Sequence, residues 1–95
     1  MKDVSTENRG YDLEVFDGRK AVEHVEVKGT SMPAQSFFLT RNEFARSLDL
    51  PTWRLAIVTS ALTKPAMEVF LGQQMLDRFV LDPLVWRCAP KPPGA

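Results

Sequence analysis

Gly10-Tyr11-Asp12-Leu13-Glu14-Val15-Phe16 and Ala21-Val22-Glu23-His24-Val25-Glu26-Val27-Lys28 are two alternating runs joined across Asp17-Gly18. Their reading decides how this chain is built. In the first run Tyr11, Leu13 and Val15 point one way and Asp12, Glu14 and Phe16 the other. In the second, Val25 and Val27 oppose His24, Glu26 and Lys28. A period of two marks a half-buried strand, and Asp-Gly between two such runs marks a hairpin turn. Side chains on paired strands share a face only with direct cross-strand partners and every second residue from them. With Leu13 and Val15 beside Val25 and Val27, two registers fit a short loop. Asp12 stands opposite Glu26, or it stands opposite His24 with Glu26 on the diagonal. Directly opposed Cβ atoms lie about 5 Å apart and diagonal ones roughly 7 Å. Either register therefore gathers Asp12 and Glu26 on one face, with Lys28 two residues further along it. Like charges held together repel, which is a physical reason to expect a cation; Lys28 or His24 is the internal alternative.

An acid followed on the next strand by acid-x-lysine is the minimal set for metal-dependent phosphodiester hydrolysis. Hard carboxylate oxygens select Mg²⁺ or Mn²⁺, and a lysine supplies a point cation for developing charge. The same spacing also fits a solvated polar face on an antiparallel hairpin. His24 shares the proposed face and reads as a surface residue.

Outward from the hairpin, residues 1–9 are polar and read as a flexible N-terminal segment. Residues 10–88 form one domain, and residues 89–95 a Pro-rich disordered tail. Gly29 to Ser36 is a loop and Phe37 to Leu39 a short apolar strand. Thr40-Arg41-Asn42-Glu43 has the form of a capping box, opening a helix over about 41–48 that buries Phe44, Ala45 and Leu48. Trp53 to Thr59 is almost continuously apolar, as expected of a central, parallel strand buried on both faces. The segment from Glu26 to Trp53 is then a crossover. Met67 to Leu71 reads as another strand, Gly72 to Val80 as a short helix, and Leu84 to Cys88 as a last strand. Trp53, Trp86, Phe37 and Phe38 read as packing residues, one of the two phenylalanines being exposed, and Cys88 as a small buried apolar residue.

Composition narrows the class. Ninety-five residues make one small domain. Apolar content of 44% and charged content of 25% are those of a soluble globular chain. The formal net charge of zero means that any contact with nucleic acid rests on a local patch. A single cysteine excludes an internal disulfide and favours a reducing, cytoplasmic setting. No apolar run reaches the roughly 18 residues of a membrane span, so no membrane partner is expected.

Several of these segments fall in a familiar order: Gly10-Tyr11-Asp12-Leu13, Val25-Glu26-Val27-Lys28-Gly29, Phe38-Leu39-Thr40-Arg41-Asn42-Glu43, the Trp53–Val58 strand and Leu84-Val85-Trp86-Arg87. In that order the chain resembles the family of C-terminal domains named after the plant protein NO VEIN. That family looks like a branch of the PD-(D/E)XK, or restriction-endonuclease-like, superfamily. The resemblance covers most of residues 9–88. It implies an α/β fold with a restriction-endonuclease-like core, a mixed sheet flanked by helices. It also implies that Asp12 is the motif aspartate, Glu26 the motif acid and Lys28 the motif lysine, with Asp12, Glu26 and the Val27 carbonyl around Mg²⁺ or Mn²⁺. Arg9, Arg19, Lys20, Thr40, Arg41 and Arg46 are then candidates for phosphate contacts because they flank the site or the helix start. The expected activity is hydrolysis of DNA (or RNA) phosphodiester bonds by a module of a larger restriction- or defence-type protein. The alternatives are a non-cleaving nucleic-acid-binding domain and an interaction domain that forms a homodimer through an open strand edge. One departure stands out: such folds usually begin with a helix and an edge strand, and only nine residues precede Gly10.

Overall fold

The computed structural model describes residues 1–83, 89–92 and 94. Five strands form a single mixed sheet in the order β1-β2-β3-β4-β5: β1 (Lys2–Asp3), β2 (Leu13–Asp17), β3 (Lys20–Gly29), β4 (Trp53–Thr59) and β5 (Ala66–Leu71). Among the described residues only β3 and β4 run parallel, and the other three pairs are antiparallel. Helix α1 (Arg41–Asp49) lies in the β3–β4 crossover, and α2 (Gly72–Arg78) follows β5 directly. The chain is thus an α/β domain built on a mixed five-stranded sheet.

The hairpin forms as its alternation requires. Leu13 pairs with Val25 and Glu14 with His24, which selects the register placing Asp12 opposite Glu26. A bulge then shifts the ladder, so that Val15 pairs with Glu23 but Phe16 with Ala21. The turn itself is closed by the Asp17–Lys20 pair, with Gly18 in the left-handed region at φ +64°.

Parity carries across the sheet. His24, Glu26 and Lys28 pair with Trp53, Leu55 and Ile57, and Leu55 pairs with Phe70. All of these lie on the face that the helices cover. Trp53, Leu55, Ile57 and Phe70 form the core with Met75 of α2, and Tyr11, Phe37, Leu39, Leu50, Leu76 and Phe79 pack around it. The proposed acidic residues therefore share a face with the core, at the end of the sheet that α1 approaches.

Four expectations need correction. First, the N-terminal residues are structured: β1 pairs with β2, residues 5–7 make a 3-10 turn, and Val4 is 1% exposed. An edge strand is therefore present ahead of Gly10, although only two residues long. Second, 37–39 is extended but unpaired; Phe37 is held by edge-to-face packing on Phe79, 5.1 Å between ring centres. Third, α1 does not bury Phe44 and Leu48. Leu48 is 59% exposed, and the inward stripe consists of Glu43, Ser47 and Leu50 instead. Asn42 and Arg46 face the N-terminal segment, through an Asn42 Nδ2 hydrogen bond to Asn8 O and contact of Arg46 with Gly10. Fourth, β4 is sealed on one face only. On the other face Ala56 is buried, whereas its neighbours Val27, Val69 and Met67 are exposed. The Leu84–Cys88 strand, with Trp86 and Cys88, lies outside the described residues; residues 89–92 are exposed and carry no regular structure.

Gly10 locks the two ends of this arrangement together. Its φ is +86°, and a Cβ there would stand 2.3 Å from Arg46 Cγ and 2.9 Å from Asn42 O. Its carbonyl also accepts the indole hydrogen of buried Trp53, at 2.9 Å. Gly10→Ala should cost about 2 kcal/mol or more, because strain and overlap add. For a domain of this size that is a Tm loss of roughly 10 °C. Thermal unfolding followed by circular dichroism measures it, and an unchanged Tm would contradict the close approach.

Candidate functional site

Three of the sequence-selected residues converge. Glu26, in the middle of the covered face of β3, is only 3% exposed. Lys28, one pleat further along, places Nζ 3.4 Å from Glu26 Oε1 and 2.8 Å from Glu43 Oε1. Asp12 immediately precedes β2; its Oδ2 accepts the Val27 N–H at 2.9 Å, so its carboxylate sits against the β3 backbone beside Glu26. Glu43 is the residue that sequence reading assigned only to a helix cap. It does cap α1: the Thr40 hydroxyl accepts the Glu43 amide hydrogen at 3.1 Å, and Glu43 Oε1 accepts that of Thr40 at 3.0 Å. The same Oε1 also meets Lys28, so the cap faces the site. The usable signal was the capping-box glutamate falling just after a Lys28-bearing parallel strand, in the crossover that must return over that strand.

The electrostatics follow from crowding. Burial, then the carboxylates of Glu43 and Asp12, push Glu26 up from 4.5 to about 8, against the opposing pull of Lys28. Near neutrality Glu26 therefore holds a proton. Burial also works against ionisation of Glu43, but hydrogen bonds from Lys28 and the Thr40 amide outweigh it and hold Glu43 below its ordinary value. Lys28 is likewise penalised by burial, yet the bonds to Glu43 and Glu26 hold it above its ordinary value. Two acids thus contact one lysine while Asp12 adds its charge beside Glu26, and the surplus negative charge is removed by a proton on the most buried acid.

The chemistry of this donor set suits a hard divalent cation: all-oxygen ligands, more negative charge than Lys28 neutralises, and a buried acid that would release its proton to a stronger positive charge. As the side chains stand, Asp12 is engaged by Val27 and Glu43 by Lys28 and Thr40. Among the described residues no group of three or more His, Cys, Asp or Glu side chains is drawn together as a metal cage. Binding would require Asp12 or Glu43 to turn from its present partner.

The cationic candidates divide. Arg41, the first residue of α1, is exposed beside the site. Thr40 is committed to the capping box, through both its hydroxyl and its amide. Arg9 pairs with Glu7 and Glu14, and Arg46 with Asp49. Arg19 and Lys20 lie at the hairpin turn. Glu26 lies six steps along the strand from Lys20, a run of roughly 20 Å, so the turn is not part of the site. His24 is not a surface residue either. Its Nδ1 is 2.7 Å from Thr52 Oγ1, its Nε2 is 3.6 Å from the buried Glu14, and Tyr11 packs edge-on against its ring.

Glu26 makes stability depend on pH. Its folded value, about 8, lies above its ordinary 4.5. Between those limits the folded protein holds a proton that the unfolded chain has lost, so this group's contribution falls as pH rises from about 4.5 to about 8 and levels off above. Glu26→Gln keeps the hydrogen-bonding shape and removes the titration. In chelator, the Tm of wild type should drop relative to that of Glu26→Gln across this window, leaving the variant more stable by several degrees at its upper end. Parallel Tm–pH curves would disprove the raised value.

A family profile described as "Protein NO VEIN, C-terminal" matches residues 1–71. No curated protein and no solved structure matches the chain. The matched span includes β1 through β5 and contains Asp12, Glu26, Lys28 and Glu43. By that match over most of its length, the chain belongs to the NO VEIN C-terminal domain family.

Proposed function

We propose that this domain is a metal-dependent nuclease of the restriction-endonuclease-like type, acting on DNA as one module of a larger restriction- or defence-type protein. The observation that carries the reading is the meeting of Glu26 of β3 and Glu43 of α1 at Lys28, with the Asp12 carboxylate held on the β3 backbone beside Glu26. Sequence parity anticipated three of those four residues. Asp12, Glu26 and Glu43 would hold Mg²⁺ or Mn²⁺. When bound, such an ion supplies charge stabilisation at phosphoryl oxygens and acidifies water.

The chain's own groups have separable tasks. Lys28, firmly charged and tethered by Glu43, is a fixed point cation for charge that develops on a non-bridging oxygen. Glu26 is protonated in the metal-free protein, so it becomes a ligand only on releasing its proton. Thr40 and Glu43 hold the start of α1 against β3, which sets the position of Lys28 relative to the acids. Arg41 is placed to meet a neighbouring phosphate.

Lys28→Ala should abolish Mn²⁺- or Mg²⁺-dependent cleavage of plasmid DNA, by on the order of a hundred-fold or more, while circular dichroism shows the domain still folded. Cleavage at the wild-type rate in that variant would sink the proposed site. Calorimetric titration tests the ion separately. Wild type should bind Mn²⁺ with release of a proton near neutral pH, and Glu26→Ala should not bind; no heat with wild type would reject the metal reading.

A second reading, a non-cleaving interaction module, is favoured by one observation: the sheet face opposite the helices exposes Val27, Met67, Val69 and Leu71 together. Wild type that neither binds Mn²⁺ nor cleaves, yet self-associates, would support it.

A further inference from the structure

Beside Lys28 an open groove of about 1150 Å³ runs between the 35–41 segment, Phe44 of α1 and residues 79–83. It exceeds the roughly 300–1,000 Å³ of a small-molecule pocket, and its form is a trough rather than an enclosed cavity. Its composition is unusual for a surface: an aromatic rim with cations at one end. Phe38 is 76% exposed, although its neighbours Phe37 and Leu39 both pack against the core. The extended segment thus anchors alternate residues inward and holds Phe38 out over the groove. Phe44, about one turn beyond the Thr40 cap of α1, is also exposed. Arg41 and Lys28 line the end next to Glu26 and Glu43, and Asp82 lies on the lining as well.

We infer that this groove binds an unpaired nucleic-acid strand, with a base stacked on Phe38 and backbone phosphates drawn to Arg41 and Lys28. The inference rests on the nuclease reading of the adjacent site and narrows its substrate to single-stranded or frayed DNA. An exposed ring on an anchored segment offers a π-face at little entropic cost, and base–aromatic stacking is indifferent to sequence. Within duplex DNA the base faces are already stacked on one another, so a groove that works by stacking favours the unpaired strand. Arginine and lysine on the groove lining draw the backbone to the end that adjoins the acidic site. Those cations also favour a polyanion over an apolar peptide.

The test is fluorescence anisotropy with a labelled oligothymidylate and with the same strand in duplex with oligodeoxyadenylate, in Ca²⁺ at low salt. Wild type should bind the single strand more tightly than the duplex. Phe38→Ala should weaken single-strand binding by roughly five- to a hundred-fold, with an unchanged Tm because the ring is exposed. Phe38→Trp should retain binding, and Phe38→Leu, apolar but without a π-face, should behave like the alanine variant. Absence of single-strand binding by wild type, equal binding by Phe38→Ala, or full binding by Phe38→Leu would each overturn the stacking groove. Cleavage in Mn²⁺ is scored separately. Phe38-dependent binding without cleavage keeps the groove and removes the hydrolytic reading, whereas cleavage with Phe38-independent binding does the reverse.

Discussion

One carboxylate oxygen, Glu43 Oε1, ties the helical layer to the sheet at the site. It accepts a hydrogen from the Thr40 amide, closing the α1 cap, and another from Lys28 Nζ on β3. A cap of this type is ordinarily worth about 1 kcal/mol of local helix stability. Here it also fixes where the helix begins relative to the strand, because its acceptor is anchored on a lysine from the neighbouring layer. The exposed Phe44 and Leu48 make sense in this light. Rotation of α1 is set by Glu43, Ser47 and Leu50 facing inward and by Arg46 and Asn42 meeting the N-terminal segment, not by the most apolar stripe of the helix.

That distinction explains what could be read from the chain. The hairpin register was legible because a period of two leaves only alternate residues on one face, and Leu13 against Val25 satisfies it. The β3–β4 parallel pair was legible from the continuous apolar run at Trp53–Thr59. The orientation of α1 was not, since helical spacing of Phe44 and Leu48 competes with a cross-layer ion pair that periodicity cannot see. The order of residues 2–7 was equally hidden. Two backbone pairs and one buried side chain, Val4, hold β1, too few residues to produce any alternation. The extended Phe37–Leu39 segment has strand composition but no strand partner; its inward residues are bound by packing alone.

Sheet parity gave Glu26 and Lys28 their common face with Leu55 and Ile57, while the bulge at Val15/Phe16 confines that parity to the inner part of the hairpin. This is why Arg19 and Lys20, adjacent in sequence to the key strand, take no part in the site. Distance along an extended strand outweighs proximity in the chain. Arg9 and Arg46 are lost to the site for a different reason. Each is drawn to a carboxylate outside the site, Arg9 to Glu7 and Glu14 and Arg46 to Asp49.

Glu43 connects these points to chemistry. Had it been only a cap, the face of β3 would carry one lysine against two acids, and Lys28 would balance half of their charge. A third acid changes the balance: with Lys28 bound chiefly to Glu43, less of its field remains for Glu26, and burial then keeps Glu26 protonated. A proton is the smallest cation that can settle this surplus. The residue that shapes the helix start therefore also sets the protonation of Glu26.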